Sequence, residues 1–96
     1  MKTTIHVAVT QTEINLGKVK LWSQCPVAIA TKRAFAFRFG VDAAVWVGDA
    51  VVMLDGFVIS LPREVGRWVN QFDSGIKPDP IEFDMEIPNE LLGGTL

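Results

Sequence analysis

Cysteine and histidine are almost missing from this chain, which holds one of each, Cys25 and His6. A single thiol forms no internal disulfide, and one thiol with one imidazole falls two ligands short of a structural zinc site. A reducing, cytoplasmic setting is therefore expected, with neither metal nor organic cofactor. Charge is also sparse, at 21% of residues, yet no apolar run approaches the roughly 18 residues of a membrane span and no apolar leader precedes a cleavage site. Neither a membrane partner nor secretion is expected. Gly48, Gly56 and Gly66 stand alone, without the spacing that cradles phosphate, which disfavours a nucleotide-hydrolysing enzyme. What the chain does have is apolar material: 49% of 96 residues, with mean hydropathy +0.28. That is enough for one compact core and too short a chain for two, so a single domain over residues 1–96 is expected.

The net charge of −2 conceals a division. Residues 1–40 carry Lys2, Lys18, Lys20, Lys32, Arg33 and Arg38 against Glu13 alone, whereas residues 41–96 carry ten acids against Arg63, Arg67 and Lys77. Such polarity steers a partner to one side of the molecule unless the fold brings the halves together.

Periodicity places the elements. Thr4 to Thr10 alternates as a half-buried strand, and Thr10-Gln11-Thr12-Glu13 has capping-box spacing for a short helix ending at Gly17. Cys25-Pro26 opens the longest helix, running to about Phe37, with Val27, Ala30, Ala34 and Phe37 expected inward. After Gly40 the period falls to two. Residues 44–47, 50–54 and 57–61 read as a three-stranded meander turning at Gly48-Asp49 and Asp55-Gly56. Pro62 begins a helix with Val65, Trp68, Val69 and Phe72 on one face, ended by Ser74-Gly75. Ile81 to Ile87 is then a strand, with Ile81, Phe83, Met85 and Ile87 inward and Glu82, Asp84 and Glu86 outward. A tail from about residue 89 is expected to fray. The order β-α-α-β-β-β-α-β predicts an α+β domain on a mainly antiparallel five-stranded sheet with two main helices.

The informative feature lies in the meander. Counting from two-residue turns pairs Leu54 with Phe57 and Val52 with Ile59 on one face, and Val45 with Val52 and Val47 with Ala50 on that same face. The other face then carries Met53 beside Val58, Val51 beside Ser60, Trp46 beside Val51 and Ala44 beside Met53. Both faces are apolar, so the meander needs two covers. Either each long helix supplies one, or both helices share a face and Trp46, Val51, Met53 and Val58 stay open for a partner or a second copy.

Several residues carry weaker chemical readings. Cys25 at a helix N-terminus has the setting of an activated thiolate, with His6 as the only imidazole base, but an inert packed thiol is the plainer reading. Glu82, Asp84 and Glu86 project from one strand face about 7 Å apart, an interval that imitates nucleic-acid phosphates; the plain alternative is a solvated, charge-protected edge. Direct nucleic-acid binding would use Lys18, Lys20, Lys32, Arg33 and Arg38 with Trp22 as a stacking platform, and a pI of 5.2 argues against it.

The segment from Val9-Thr10 through Ile14 and Gly17 to Cys25-Pro26-Val27-Ala28-Ile29-Ala30 resembles the opening of a family of small uncharacterised proteins found widely in bacteriophages and prophages. Leu61-Pro62, Val65, Trp68-Val69, Phe72-Asp73, Gly75, Pro80 and Phe83 resemble that family's closing pattern. The family has no assigned reaction. The resemblance implies a phage-encoded accessory protein of the host cytoplasm, and, by analogy of size and origin, an inhibitor of host defence such as an anti-CRISPR protein. The combined expectation is a non-enzymatic protein that binds a host protein or ribonucleoprotein complex through Trp46, Val51, Met53, Val58, Glu82, Asp84, Glu86 and Trp22. A small homodimeric structural protein and a thiol-dependent enzyme using Cys25 are the alternatives.

Overall fold

The computed structural model describes residues 3–18, 21, 23–40, 43–48 and 51–88. In chain order they form β1 (Thr3–Val9), α1 (Gln11–Leu16), α2 (Pro26–Phe39), β2 (Val45–Val47), β3 (Val51–Leu54), β4 (Phe57–Ser60), α3 (Arg63–Asp73) and β5 (Ile81–Ile87). The class and the order follow the periodicity, but the five-stranded sheet does not form. β1 and β5 make an antiparallel two-stranded ribbon, and β2, β3 and β4 make a separate three-stranded meander. Hydrophobic pattern decides which face of a strand is buried and leaves its lateral neighbour undecided. β4 is four residues long and runs into Pro62, which has no amide hydrogen for a ladder, so that although β4 comes close to β5 no ladder joins them and a cleft opens alongside.

The ribbon is in register from Thr3 opposite Ile87 to Val9 opposite Ile81. Ile5, Val7, Val9, Phe83, Met85 and Ile87 bury one face, with α2 packed on β1, while Thr4, His6, Glu82, Asp84 and Glu86 line the other. In the meander, β3 and β4 pair as counted, Leu54 with Phe57 and Val52 with Ile59. Asp55 and Gly56 both have positive φ, as a type I′ hairpin requires. The first hairpin differs from expectation. Val45 pairs with Leu54, Trp46 with Met53 and Val47 with Val52, and the Gly48 amide donates to the Val51 carbonyl at 2.9 Å, so the strands are two residues out of the counted register. Asp49 and Ala50, and with them the expected Val47–Ala50 pair, lie outside the described residues, as do Trp22 and the tail at 89–96. Because side chains alternate with period two, a two-residue shift changes partners and leaves faces unchanged.

Thr10 caps α1: Glu13 Oε1 accepts from the Thr10 amide at 2.7 Å and from its hydroxyl at 2.6 Å. Glu13 is nonetheless only 2% exposed. Its other oxygen pairs with Arg33 of α2, whose second guanidinium nitrogen donates to the Ala8 carbonyl of β1 at 3.0 Å. Burial pushes the Glu13 carboxyl up, and the Thr10 hydrogen bonds and the Arg33 charge outweigh it, leaving a net lowering. Gly17 stops α1 and is also required for space, since a Cβ there would sit 2.5 Å from the Pro26 ring.

α2 begins at Cys25-Pro26, ends at the left-handed Gly40, and packs on both β1 and β2. It buries Val27, Ala28, Ala30, Thr31 and Phe35, but Phe37 is 92% exposed, against expectation. The 27, 30, 34, 37 series drifts around the helix, and at about 100° per residue Phe37 lies roughly 100° from the centre of the buried arc. The inward stripe of α3 is as expected, with Trp68 stacked on Phe72 and its Nε1 donating to the Asp79 carbonyl at 2.7 Å. Residues of both sheets and of all three helices join one core.

Candidate functional site: the meander's outer face and the cleft beside it

Inward, β2, β3 and β4 bury Val45, Val47, Val52, Leu54 and Ile59. Outward, Trp46 pairs with Met53 and Met53 with Val58, so the three side chains form one row across the sheet. Their exposures are 42%, 41% and 65%, so neither long helix covers this face. Val51 is half-buried beside exposed Ser60. The expected placement of Trp46 beside Val51 is corrected by the register: its partner is Met53. The correction strengthens the row by putting its two largest side chains directly opposite each other, the closest cross-strand relation.

Next to Val58 the meander ends in a cleft of about 480 Å³ between β4 and β5. Residues 58–62 form one wall, and 84–86 with Pro88 the other. The apolar row and the acidic strand therefore meet here, with Val58 and Ser60 on one side and Asp84 and Glu86 on the other.

Glu82, Asp84 and Glu86 do share the outer face of β5, but they are not a bare row of negative charge. His6, directly across from Asp84, places Nδ1 2.9 Å from Asp84 Oδ1 and Nε2 2.7 Å from Glu82 Oε1. Two carboxylates want two donors, so the imidazolium is the matching form, and the hydrogen bonds to Asp84 and then Glu82 raise the His6 pKa above its ordinary 6.5. The sequence signal was available, since His6 and the acids lie on outward positions of two antiparallel strands. Only the pairing of β1 with β5 converts that into contact. This bridge weakens the resemblance of the run to a phosphate backbone. Because the two nitrogens bind different carboxylates, the three side chains do not converge on one point, and among the described residues no group of His, Cys, Asp and Glu is arranged to hold a metal ion.

Cys25 is buried, and burial pushes its thiol up, with the Asp73 charge adding to the effect despite the amides of Val27 and Ala28. His6 stands on the solvent side of the ribbon with both nitrogens engaged by carboxylates. A buried, protonated thiol and an occupied imidazole are not a nucleophile and its base. Of the expected basic set, Arg33 is tied to Glu13 and Ala8, and Arg38 donates to the Thr4 carbonyl at 3.4 Å and lies over the Phe39 ring. Lys20 lies outside the described residues. Among the described residues no helix is long and apolar enough to cross a membrane.

The chain matches no protein-family model, no curated protein and no solved structure.

Proposed function

We propose that this chain is a non-enzymatic protein-binding module that engages a partner protein through the Trp46–Met53–Val58 row. The observation behind this reading is that row: two large side chains and a valine, paired strand to strand and left open while the meander's opposite face joins the core and α2 packs on β2. Large apolar side chains grouped on a surface are how interfaces anchor, and Trp is the residue most often found at their energetic centre. The narrower form of the proposal is an accessory protein of phage or prophage origin that binds a host protein complex in the cytoplasm, with inhibition of host defence as its effect. That form rests on the resemblance of residues 9–30 and 61–83 alone.

Trp46→Asp tests the module. Partner capture and self-association should both be compared with the wild-type chain. Loss of a central aromatic anchor is worth about 2 kcal/mol or more, a roughly 30-fold weakening, while cooperative unfolding persists because the side chain is already at the surface. Loss of self-association alone assigns the row to a homodimer, and unchanged assembly in every assay removes the proposal. Plaque formation on hosts carrying active CRISPR systems tests the narrower form, and no rescue across several system types ends it.

A further inference from the structure

We infer that the meander's outer face is covered by a second copy of this chain, packed face to face about a two-fold axis that runs along β3. In this pair Trp46 of each copy seats on Val58 of the other, and the two Met53 side chains meet on the axis. The inference rests on the reading of the Trp46–Met53–Val58 row as a protein-binding surface and adds to it the identity of the occupant and the geometry of its seat.

First, the row is graded in size. Trp46 on β2, Met53 on β3 and Val58 on β4 stand directly opposite one another, so the largest and the smallest side chain lie about 10 Å apart with Met53 between them. Rotation by a half-turn about the β3 direction reverses such a row: tryptophan meets valine at both ends and methionine meets methionine in the middle, so each level of the interface holds a comparable volume. Rotation about the row itself would set tryptophan on tryptophan at one end and valine on valine at the other, wedging the sheets apart. A closed pair of identical chains needs a self-complementary patch, and stacked sheets keep their strands within about 30° of each other, which an axis near β3 satisfies. Second, the face carries little charge. On one side of the row the Gly48 amide bonds to Val51 and Val51 pairs with Ser60; on the other, Ala44 and Asp55 bond to each other. Among these described residues Asp55 alone is charged. Two copies therefore meet with a single like-charge contact, where their Asp55 turns converge near the axis, and without the rim charges by which a face selects a foreign partner. Third, the area fits a reversible pair. With exposures of 42%, 41% and 65%, the row leaves on the order of 300 Å² of side chain bare in each copy, against about 800 Å² per partner in a standard interface. The flanking residues widen the contact but keep it at the small end, so the pair dissociates in the micromolar range or above.

The test uses the intact chain. Between micromolar and millimolar concentration, sedimentation equilibrium should show the mean mass rising from 10.6 kDa towards twice that value. Amide resonances of 45–47, 51–54 and 57–60 should shift over the same range, while those of β1 stay in place. Mixing Trp46→Arg with Val58→Asp tests the axis. Each variant alone should self-associate roughly tenfold more weakly or worse, and an equimolar mixture should recover association, because one end then joins arginine to aspartate while the other keeps tryptophan on valine. Asp55→Asn retains a carbonyl acceptor for the Ala44 amide and suits the positive φ of that turn, and by removing the like-charge contact it should tighten the pair about threefold. Because that variant reads a gain, it decides the matter even if a row variant fails to fold. A chain that stays at 10.6 kDa at millimolar concentration would overturn the inference. So would a mixture of folded variants no stronger than its components, self-association unmoved by Asp55→Asn, or concentration-dependent shifts confined to other surfaces. If the chain stays monomeric while Trp46→Asp still abolishes capture of a different protein, the second copy falls and the reading of the row stands; if neither assembly forms, both fall.

Discussion

The ribbon of β1 and β5 and the meander of β2, β3 and β4 are built to the same plan, antiparallel strands with one face on a shared core, and they differ on the side turned to water. The ribbon closes its outer face upon itself, with His6 held between Glu82 and Asp84. The meander puts Trp46, Met53 and Val58 in the same position, where contact among them leaves apolar surface wet. Charged groups find partners within the chain at little cost in solvent, whereas an exposed apolar row is relieved only by another surface. The difference lies in composition: one outer face is bridged within the chain and the other is left apolar and open.

The strongest challenge to that contrast is to ask whether the two sheets are mechanically separate. Phe35 is fully buried on α2, the helix that packs on both sheets. Phe35→Ala should cost about 3–5 kcal/mol, and hydrogen exchange should show the β1 and β3 amides losing protection together. Loss confined to one sheet would mean two independent units. Next in size is Glu13→Ala, which leaves Arg33 only the Ala8 carbonyl and removes the carboxylate that ties α1 to α2. Urea denaturation should show a loss of about 2 kcal/mol, of the order of charge-assisted hydrogen bonds, felt first in the ribbon. Since the folded-state pKa of Glu13 is depressed, its contribution stands above the unfolded value and fades as pH falls through the folded one, so the variant should lose less in acid than the parent. The smallest effect belongs to His6→Gln. The raised pKa of His6 makes its contribution complete below about 6.5 and lost as pH rises through the folded value. The wild-type chain should therefore show a slight fall in urea midpoint across neutrality that the variant lacks, and meander exchange rates should not move with it.

Element type was legible throughout, and the buried face everywhere but at Phe37 of α2, because both follow from spacing along the chain. Val65, Trp68, Val69 and Phe72 at helical intervals, and Ile81 through Ile87 at strand intervals, bury as their spacing requires. The two-faced meander was legible for the same reason, and so was the exposure of Trp46 as one of two outcomes. What depends on separation in sequence was not. The joining of β1 to β5 rather than into one sheet, the two-residue register shift of β2, and the reach of Arg33 across twenty residues to Glu13 are settled by packing among distant segments, to which local pattern is blind. Glu13 illustrates the gap well. Its spacing from Thr10 announced a cap, and nothing local announced that the cap would be buried and neutralised from another helix.

The hairpin between Gly48 and Val51 carries an evolutionary corollary. A slip of β2 along β3 by an even number of residues exchanges every cross-strand neighbour and keeps Trp46 pointing at the outside world, whereas an odd slip would turn tryptophan into the interior and push Val45 and Val47 out. Stickiness on this side is thus inherited through any drift that moves the ladder in twos.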